Sequence, residues 1–366
     1  LSNPHERSSY TYSEITIYSD GKEAVGSGFF KALREQSFME NSSPVVEWAL
    51  KNSRRLTLAV QKVTWIDEWL PGYFDYHVEI SVGGKVHKGR GTDASEQTAF
   101  VKAVAESLER AACYGLENPW GTAAHTDQRA AEKRAYAELL GMDRALCHHY
   151  CRIKGNRVAL EELKPVIPVK NLIKKLNDHG LVLELCELRP AKDAGVFSAY
   201  GWAKTASREF PGIISGFGTS DVRQDAAKQA VLECLRKFLA IFIGKTVSPA
   251  PLDDLKRDKS PWWHIWSMAG SAASKAYLMR NIVPGNGDEA TQIPENISAK
   301  CMSFSRISSL DELFPDLPLL FIQAHSPRLL RPQIGETIID PETKNRLEDF
   351  NGRPIDVDLS VPHFYG

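Results

Sequence analysis

Gly89–Arg110, GRGTDASEQTAFVKAVAESLER, reads as a glycine-rich turn running into a helix. Glu106 and Glu109 stand three apart, and residues three apart share a helix face, so both carboxylates can point at one cation. Arg110 adds a fixed positive charge suited to a phosphate or carboxylate. Alone, Glu-x-x-Glu is common on solvated helices and decides little. Its weight comes from recurrence. Segments anchored on Glu106, Glu138 and Glu233 each carry a glycine seventeen residues upstream, at Gly89, Gly121 and Gly216. Each has an alanine seven upstream (Ala99, Ala131, Ala226) and three upstream (Ala103, Ala135, Ala230), and a leucine two downstream (Leu108, Leu140, Leu235). The first and third copies also share Gly-x-Gly-Thr, at Gly89–Thr92 and Gly216–Thr219. The copies are unevenly spaced, which does not fit a stacked solenoid. They read as three copies of one turn-plus-helix unit within a single domain.

Upstream of the first copy, Tyr10–Tyr18 alternates like a strand. Ser42-Ser43-Pro44 signals a helix start, with a serine cap and a proline in the first turn. Leu56–Leu70, LTLAVQKVTWIDEWL, reads as β-like, and Tyr73–Val82 alternates again. Gly83-Gly84 is a hairpin turn, and Lys85–Lys88 returns as a short strand. The spacing predicts repeat helices near 93–115, 127–150 and 222–243, a short helix over Asn171–His179 ending at Gly180, and strands over Leu181–Leu188, Val196–Trp202 and Gly212–Ser215. Leu319–Ala324 reads as a last core strand, and residues 326–366 as a polar tail.

The chain has 366 residues, 43% hydrophobic and 25% charged, which is ordinary for a globular protein with a sizeable core. Its net charge of −1 gives no global attraction to nucleic acid or an anionic membrane. Six cysteines in this length do not make a disulfide framework and read as reduced, largely buried thiols. No run of 18 apolar residues and no signal peptide is present, so the expected location is the cytoplasm.

If the three units pack around a common centre, Glu106, Glu109, Glu138 and Glu233 converge. Such a cluster calls for a hard cation such as Mg²⁺, which takes carboxylate oxygens and keeps water and phosphate oxygens as further ligands. The bland reading is that each glutamate is solvated on its helix. Cys147-His148-His149-Tyr150-Cys151 invites a zinc reading, but structural zinc needs four ligands and no second pair exists; core thiols are expected instead. Trp262, Trp263, His264 and Trp266 could stack on a ligand or serve as packing anchors. His125 could meet a phosphate or be an ordinary loop residue. Gly89-x-Gly91 lacks the endings of both the P-loop and the dinucleotide fingerprint. Two function classes fit: an enzyme using nucleotide and Mg²⁺, or an RNA-binding protein with units like double-stranded-RNA-binding modules. Asp93, Asp127 and Asp221 at the helix starts carry the wrong charge for RNA, so nucleic acid is not expected as a partner.

The three motifs GRGTDASEQTAFVKAVAESLER, GTAAHTDQRAAEKRAYAELLGMD and GFGTSDVRQDAAKQAVLECLRKF resemble those of the YcaO superfamily, over roughly residues 45–366, with 1–44 as an N-terminal extension. The resemblance implies an α+β fold of three sheet-plus-helix units around a central nucleotide cleft. It also implies ATP- and Mg²⁺-dependent activation of a peptide-backbone amide in the modification of a ribosomally made peptide. In such a cyclodehydratase a nucleophile adds to the backbone carbonyl and ATP phosphorylates the oxyanion. Loss of phosphate leaves an azoline of the thiazole/oxazole type, a thioamide or an amidine. By position Glu106, Glu109 and Glu138 match metal ligands, and these three with Arg110 match the ATP site. The implied partners are a precursor peptide and a leader-binding or dehydrogenase protein, with a homodimer possible and no membrane. The second motif departs from the pattern. Where the family has ExxER, this chain has Glu138-Leu139-Leu140-Gly141-Met142, so a carboxylate and an arginine are missing. A degenerate member acting as a scaffold or peptide-binding partner is therefore the alternative.

Overall fold

The computed structural model describes residues 15–19, 22–23, 43–190, 194–205, 210–242, 268–284, 302–333 and 338–357. In chain order the elements are β1 (Ile15–Ser19), β2 (Lys22–Glu23), α1 (Pro44–Lys51), β3 (Ala59–Lys62), α2 (Trp65–Trp69), β4 (Phe74–Val82), β5 (Lys85–Asp93), α3 (Glu96–Ala112), β6 (Thr122–His125), α4 (Gln128–Cys151) and β7 (Asn156–Val158). After a short 3₁₀ turn come α5 (Val169–Asp178), β8 (Leu181–Glu187), β9 (Gly195–Ala203), β10 (Ile214–Ser220), α6 (Arg223–Phe242), α7 (Ala272–Asn281), β11 (Ser303–Ile307), β12 (Leu320–His325) and α8 (Pro341–Asn351). The strands form three sheets, ordered β2-β1-β3-β4-β5, β10-β9-β8-β7 and β11-β12-β6. The fold is α+β. It divides into two compact units, one within residues 1–119, 124–131 and 306–322, the other within 120–123, 132–305 and 323–366. Among the described residues no helix is long and apolar enough to cross a membrane.

Local signals explain most of the elements. Ser43 accepts from the Val45 N–H and Pro44 fills the first helical position, so α1 starts where the sequence places it. Gly83 and Gly84 have φ of +59° and +75°, as a two-residue hairpin turn requires, and β4 pairs antiparallel with β5 across it. Gly180, φ +64°, ends α5.

Three expectations need correction. The stretch read as a β-like run over Leu56–Leu70 holds only the strand β3, and Trp65–Trp69 is a helix; Trp65, Ile66 and Trp69 bury together, which aromatic composition alone does not distinguish from a strand. The polar tail contains helix α8, capped by Asp340 and burying Arg346, Leu347 and Phe350. Most important, Gly89 and Gly216 are not turn residues. They lie inside β5 and β10, and β5 runs on to Asp93 instead of stopping at Lys88.

The reason for those glycines is contact with helix backbone. A Cβ at Gly89 would lie 2.1 Å from the Ala103 carbonyl oxygen, and one at Gly91 would lie 1.9 Å from that of Ala99. In the third copy, Cβ atoms at Gly216 and Gly218 would lie 2.6 Å from the Ala230 oxygen and 2.1 Å from that of Ala226. Glycine on the strand and alanine on the helix let the two backbones touch, in the same register both times. Ala99, Ala103, Leu108, Ala131, Ala135, Leu140, Ala226, Ala230 and Leu235 all have 0% exposure, so the repeat marks the buried stripe of α3, α4 and α6. The second copy differs at its strand: Gly121 has φ +72° and is a turn residue.

In the first unit, α3 packs on β4 and β5 with Tyr76, Val78, Phe100, Val104 and Leu108 in one core. In the second, Asp143 is wholly buried and accepts from Arg346 Nε (2.9 Å) and Nη2 (2.6 Å), Arg144 Nη1 (2.8 Å) and the Leu330 N–H (2.9 Å), tying α8 to α4. Replacing Gly91 or Gly218 with alanine is expected to cost at least about 3 kcal/mol in denaturant unfolding, because the clash is with backbone that cannot turn aside. Gly72→Ala, where φ is +82° but nothing lies within 4 Å, costs only about 1 kcal/mol of backbone strain.

Candidate functional site

Helix α3 is set by its N-cap, Ser95, whose hydroxyl accepts from the Thr98 N–H, and by the apolar stripe that docks on β5. That docking leaves Glu106 and Glu109 half-buried and Arg110 exposed on the uncovered side. The Glu106 carboxylate is held at both oxygens. Oε2 accepts from the backbone N–H of Arg90 at 2.8 Å, and Oε1 from Arg110 Nη2 at 2.5 Å. On the Arg90 side chain, Nε and Nη2 donate to the buried Asp75 carboxylate, which also accepts from the Thr92 hydroxyl at 2.8 Å. The Arg90 guanidinium lies 4.8 Å from the Trp65 ring centroid.

The third copy repeats the central contact. Glu233 Oε2 accepts from the Phe217 N–H at 3.0 Å, sixteen residues back as for Glu106, and Oε1 from Lys237 Nζ at 2.6 Å, four residues on as for Arg110. β5 and β10 are the outer strands of their sheets among the described residues. An outer strand presents N–H groups that a further strand would otherwise take. Here a helix carboxylate takes one of them in the first and third copies. The position of Glu106 is therefore fixed by the repeat itself, before any ligand is considered.

The carboxylate and cation content beyond that glutamate differs among copies. Three residues past the anchor stand Glu109, Gly141 and Arg236, and four past stand Arg110, Met142 and Lys237. Only the first copy has two carboxylates with an arginine beside them, all three within the first unit. Glu138 is half-buried on α4, in the second unit. Among the described residues no group of three or more His, Cys, Asp or Glu side chains is placed to hold a metal on its own. A Glu106–Glu109 pair suits Mg²⁺ that completes its shell with water and phosphate oxygens, for which one or two carboxylates suffice.

The thiols and histidines of α4 have structural work. Cys147 is buried at 3.7 Å from Asp143 Oδ1, and the Cys151 thiol meets the Leu347 carbonyl at 3.4 Å. Burial pushes the Cys151 thiol up to about 12 and the Cys147 thiol well up, so neither is a ready nucleophile. His148 Nδ1 lies 2.8 Å from the Ile153 carbonyl oxygen, and its Nε2 accepts from the Arg189 N–H at 2.9 Å. That is the neutral tautomer, and burial holds its pKa down to about 3. Among the described residues five cysteines are present, none in a disulfide with another, and four are buried. His125 Nδ1 accepts from the Asp127 N–H at 2.9 Å, and Asp127 Oδ1 in turn caps the Ala130 N–H, so it helps start α4. Trp262, Trp263, His264, Trp266 and Cys301 lie outside the described residues. Sequence reasoning missed Asp75, Arg90 and Thr92 as a linked set; the recurrence of Gly-x-Gly-Thr was the available signal.

Glu106→Ala and Glu233→Ala are expected to lose about 1–3 kcal/mol each in urea unfolding with a chelator present, since each strips the acceptor from a strand N–H. A Glu106 that served only a metal would show no loss without metal.

No protein-family model matches the sequence, and no curated protein matches it. Solved structures do match in fold. A heterocyclase in complex with substrate and cofactor superposes with a TM-score of 0.60 at 14% identity, over 90% of this chain and 58% of that one. The chain thus spans 58% of that heterocyclase's length. YcaO from Methanopyrus kandleri, bound with AMPPCP and Mg²⁺, gives a TM-score of 0.51 at 14% identity, over 81% of this chain and 94% of that one. The likeness at this identity is one of fold: the chain has the α+β fold of YcaO proteins.

Proposed function

We propose that the protein carries out ATP- and Mg²⁺-dependent activation of a peptide-backbone amide, in the modification of a ribosomally made peptide. The observation that carries this reading is the face of α3, where Glu106, Glu109 and Arg110 stand together on a helix pinned to β5. The solved YcaO structure with AMPPCP and Mg²⁺ supports nucleotide as the ligand of this fold. Glu106 and Glu109 would hold the metal and Arg110 would neutralise phosphate charge. ATP, when bound, supplies the phosphoryl group that turns the amide oxygen into a leaving group. The chain's own residues contribute positioning and charge neutralisation, which are the main protein tasks in phosphoryl transfer. Glu106 suits the task because its carboxylate is already oriented by the Arg90 N–H, and each of its oxygens keeps a lone pair for a metal.

A heterocyclase of this fold solved with substrate and cofactor supports action on a substrate; on this reading the substrate is the precursor peptide, and a leader-binding or dehydrogenase protein is the partner. A second reading is favoured by one observation. Gly141 stands where a second carboxylate is expected and packs without room for a side chain. On that reading the protein is a catalytically silent scaffold that holds the peptide for an active enzyme.

Calorimetry with ATP, with and without Mg²⁺, separates the two readings. The wild-type protein is expected to bind saturably only with Mg²⁺. Glu106→Gln with Glu109→Gln is expected to abolish binding, and glutamine keeps an acceptor for the Arg90 N–H, so the fold survives. Absence of binding in folded wild-type protein would leave the scaffold reading.

A further inference from the structure

The three copies differ most at the residue three past the anchor glutamate, and the second copy is glycine there. Gly141 is buried in the middle of α4. A Cβ added to it would lie 2.1 Å from Thr219 Oγ1 and 3.3 Å from Thr219 Cβ and Phe217 Cε2. The obstacle is thus one hydroxyl, with everything else at tight but tolerable distance. Thr219 closes the Gly-x-Gly-Thr of the third copy, and its counterpart in the first copy is Thr92. The two threonines differ in surroundings. Thr92 is paired across the ladder with Asp75 and donates to it, whereas Thr219 is paired with Val196. The Thr219 hydroxyl oxygen is buried and, among the described residues, has no hydrogen-bond partner. A buried hydroxyl without a partner is destabilising, so its own bonding does not account for it. What it does is fill the volume over Gly141.

We propose that Thr219 determines what helix α4 can carry at position 141. Its hydroxyl holds that position to glycine and so holds the second copy to one glutamate, Glu138, where the first copy has the pair Glu106 and Glu109. The packing half of this inference stands by itself. The ligand half rests on the reading of glutamate pairs as Mg²⁺–nucleotide ligands, and predicts that the second copy becomes a ligand helix once the hydroxyl is gone.

A melting cycle on the full chain tests the first half, using Gly141→Ala, Thr219→Ala and the double variant. Gly141→Ala is expected to lower Tm by several degrees. Thr219→Ala is expected to leave Tm unchanged or raise it, because it removes a buried hydroxyl that has no partner. The double variant is expected to recover most of the Gly141→Ala loss. If Gly141→Ala costs the same with and without the Thr219 hydroxyl, the inference is overturned. For the second half, calorimetry with Mg²⁺-ATP compares wild type, Thr219→Ala and Gly141→Glu with Thr219→Ala. Binding about tenfold tighter in the last of these is the expected result, the size of one added charged ligand. An unchanged affinity, in a variant that melts like Thr219→Ala, overturns the ligand half. Absence of ATP binding in every variant would count against the nucleotide reading, while the melting cycle would still decide the packing claim.

Discussion

The contact between strand glycines and helix backbone is the constraint on which the rest depends. At Gly89 and Gly91 the carbonyl oxygens of Ala103 and Ala99 come closer than any side chain allows, and Gly216 and Gly218 repeat the arrangement with Ala230 and Ala226. Such proximity fixes the helix along the strand to within a fraction of a turn, because ångström-scale sliding would drive helix atoms into the neighbouring strand residues. The helix register in turn fixes which residue reaches the strand's outer edge. In both copies that residue is a glutamate, and its carboxylate closes on the N–H that follows the first glycine. Fold and candidate site therefore share one cause.

This common cause separates the structural duty of the glutamates from any chemical duty. Glu106 and Glu233 make equivalent backbone contacts, yet only Glu106 has a second carboxylate three residues on. The chemical distinction among copies thus lies at the positions after the anchor, where selection is free of the backbone constraint. Asp75 and Arg90 add a feature of the first copy alone: a buried carboxylate that orders the strand carrying the contacted N–H. A polar core around Asp143, with Arg144, Arg346 and the Phe350 ring, has a different task, seating the last helix against α4. Removing one partner from such a buried ion pair typically costs about 3–5 kcal/mol, so it marks rigidity at the far end of the chain.

Much of this was legible in the sequence. The recurring alanines and leucines were read as marks of a repeat, and the structure shows why they recur: all nine are fully buried. Capping at Ser43 and the Gly83-Gly84 turn were also read correctly. The glycines were recognised but assigned to turns, because glycine in sequence signals either positive φ or close approach, and only the position of the helix tells which applies. Helix α8 escaped notice because its buried face includes Arg346, a charge whose partner Asp143 is 203 residues away. Gly141 was visible as a departure from the ExxER pattern of the family that the sequence resembles. The cause of that departure, Thr219, is distant in sequence and could be found only from the packing of α4 on β10.

The most direct test of the account is a crystal structure with a non-hydrolysable ATP analogue and Mn²⁺ in place of Mg²⁺, locating the metal by its anomalous signal. The account predicts a peak within coordination distance of carboxylate oxygens of Glu106 and Glu109, with phosphate oxygens completing the shell and the Arg90 N–H still donating to Glu106. A metal and nucleotide bound away from α3 would contradict it.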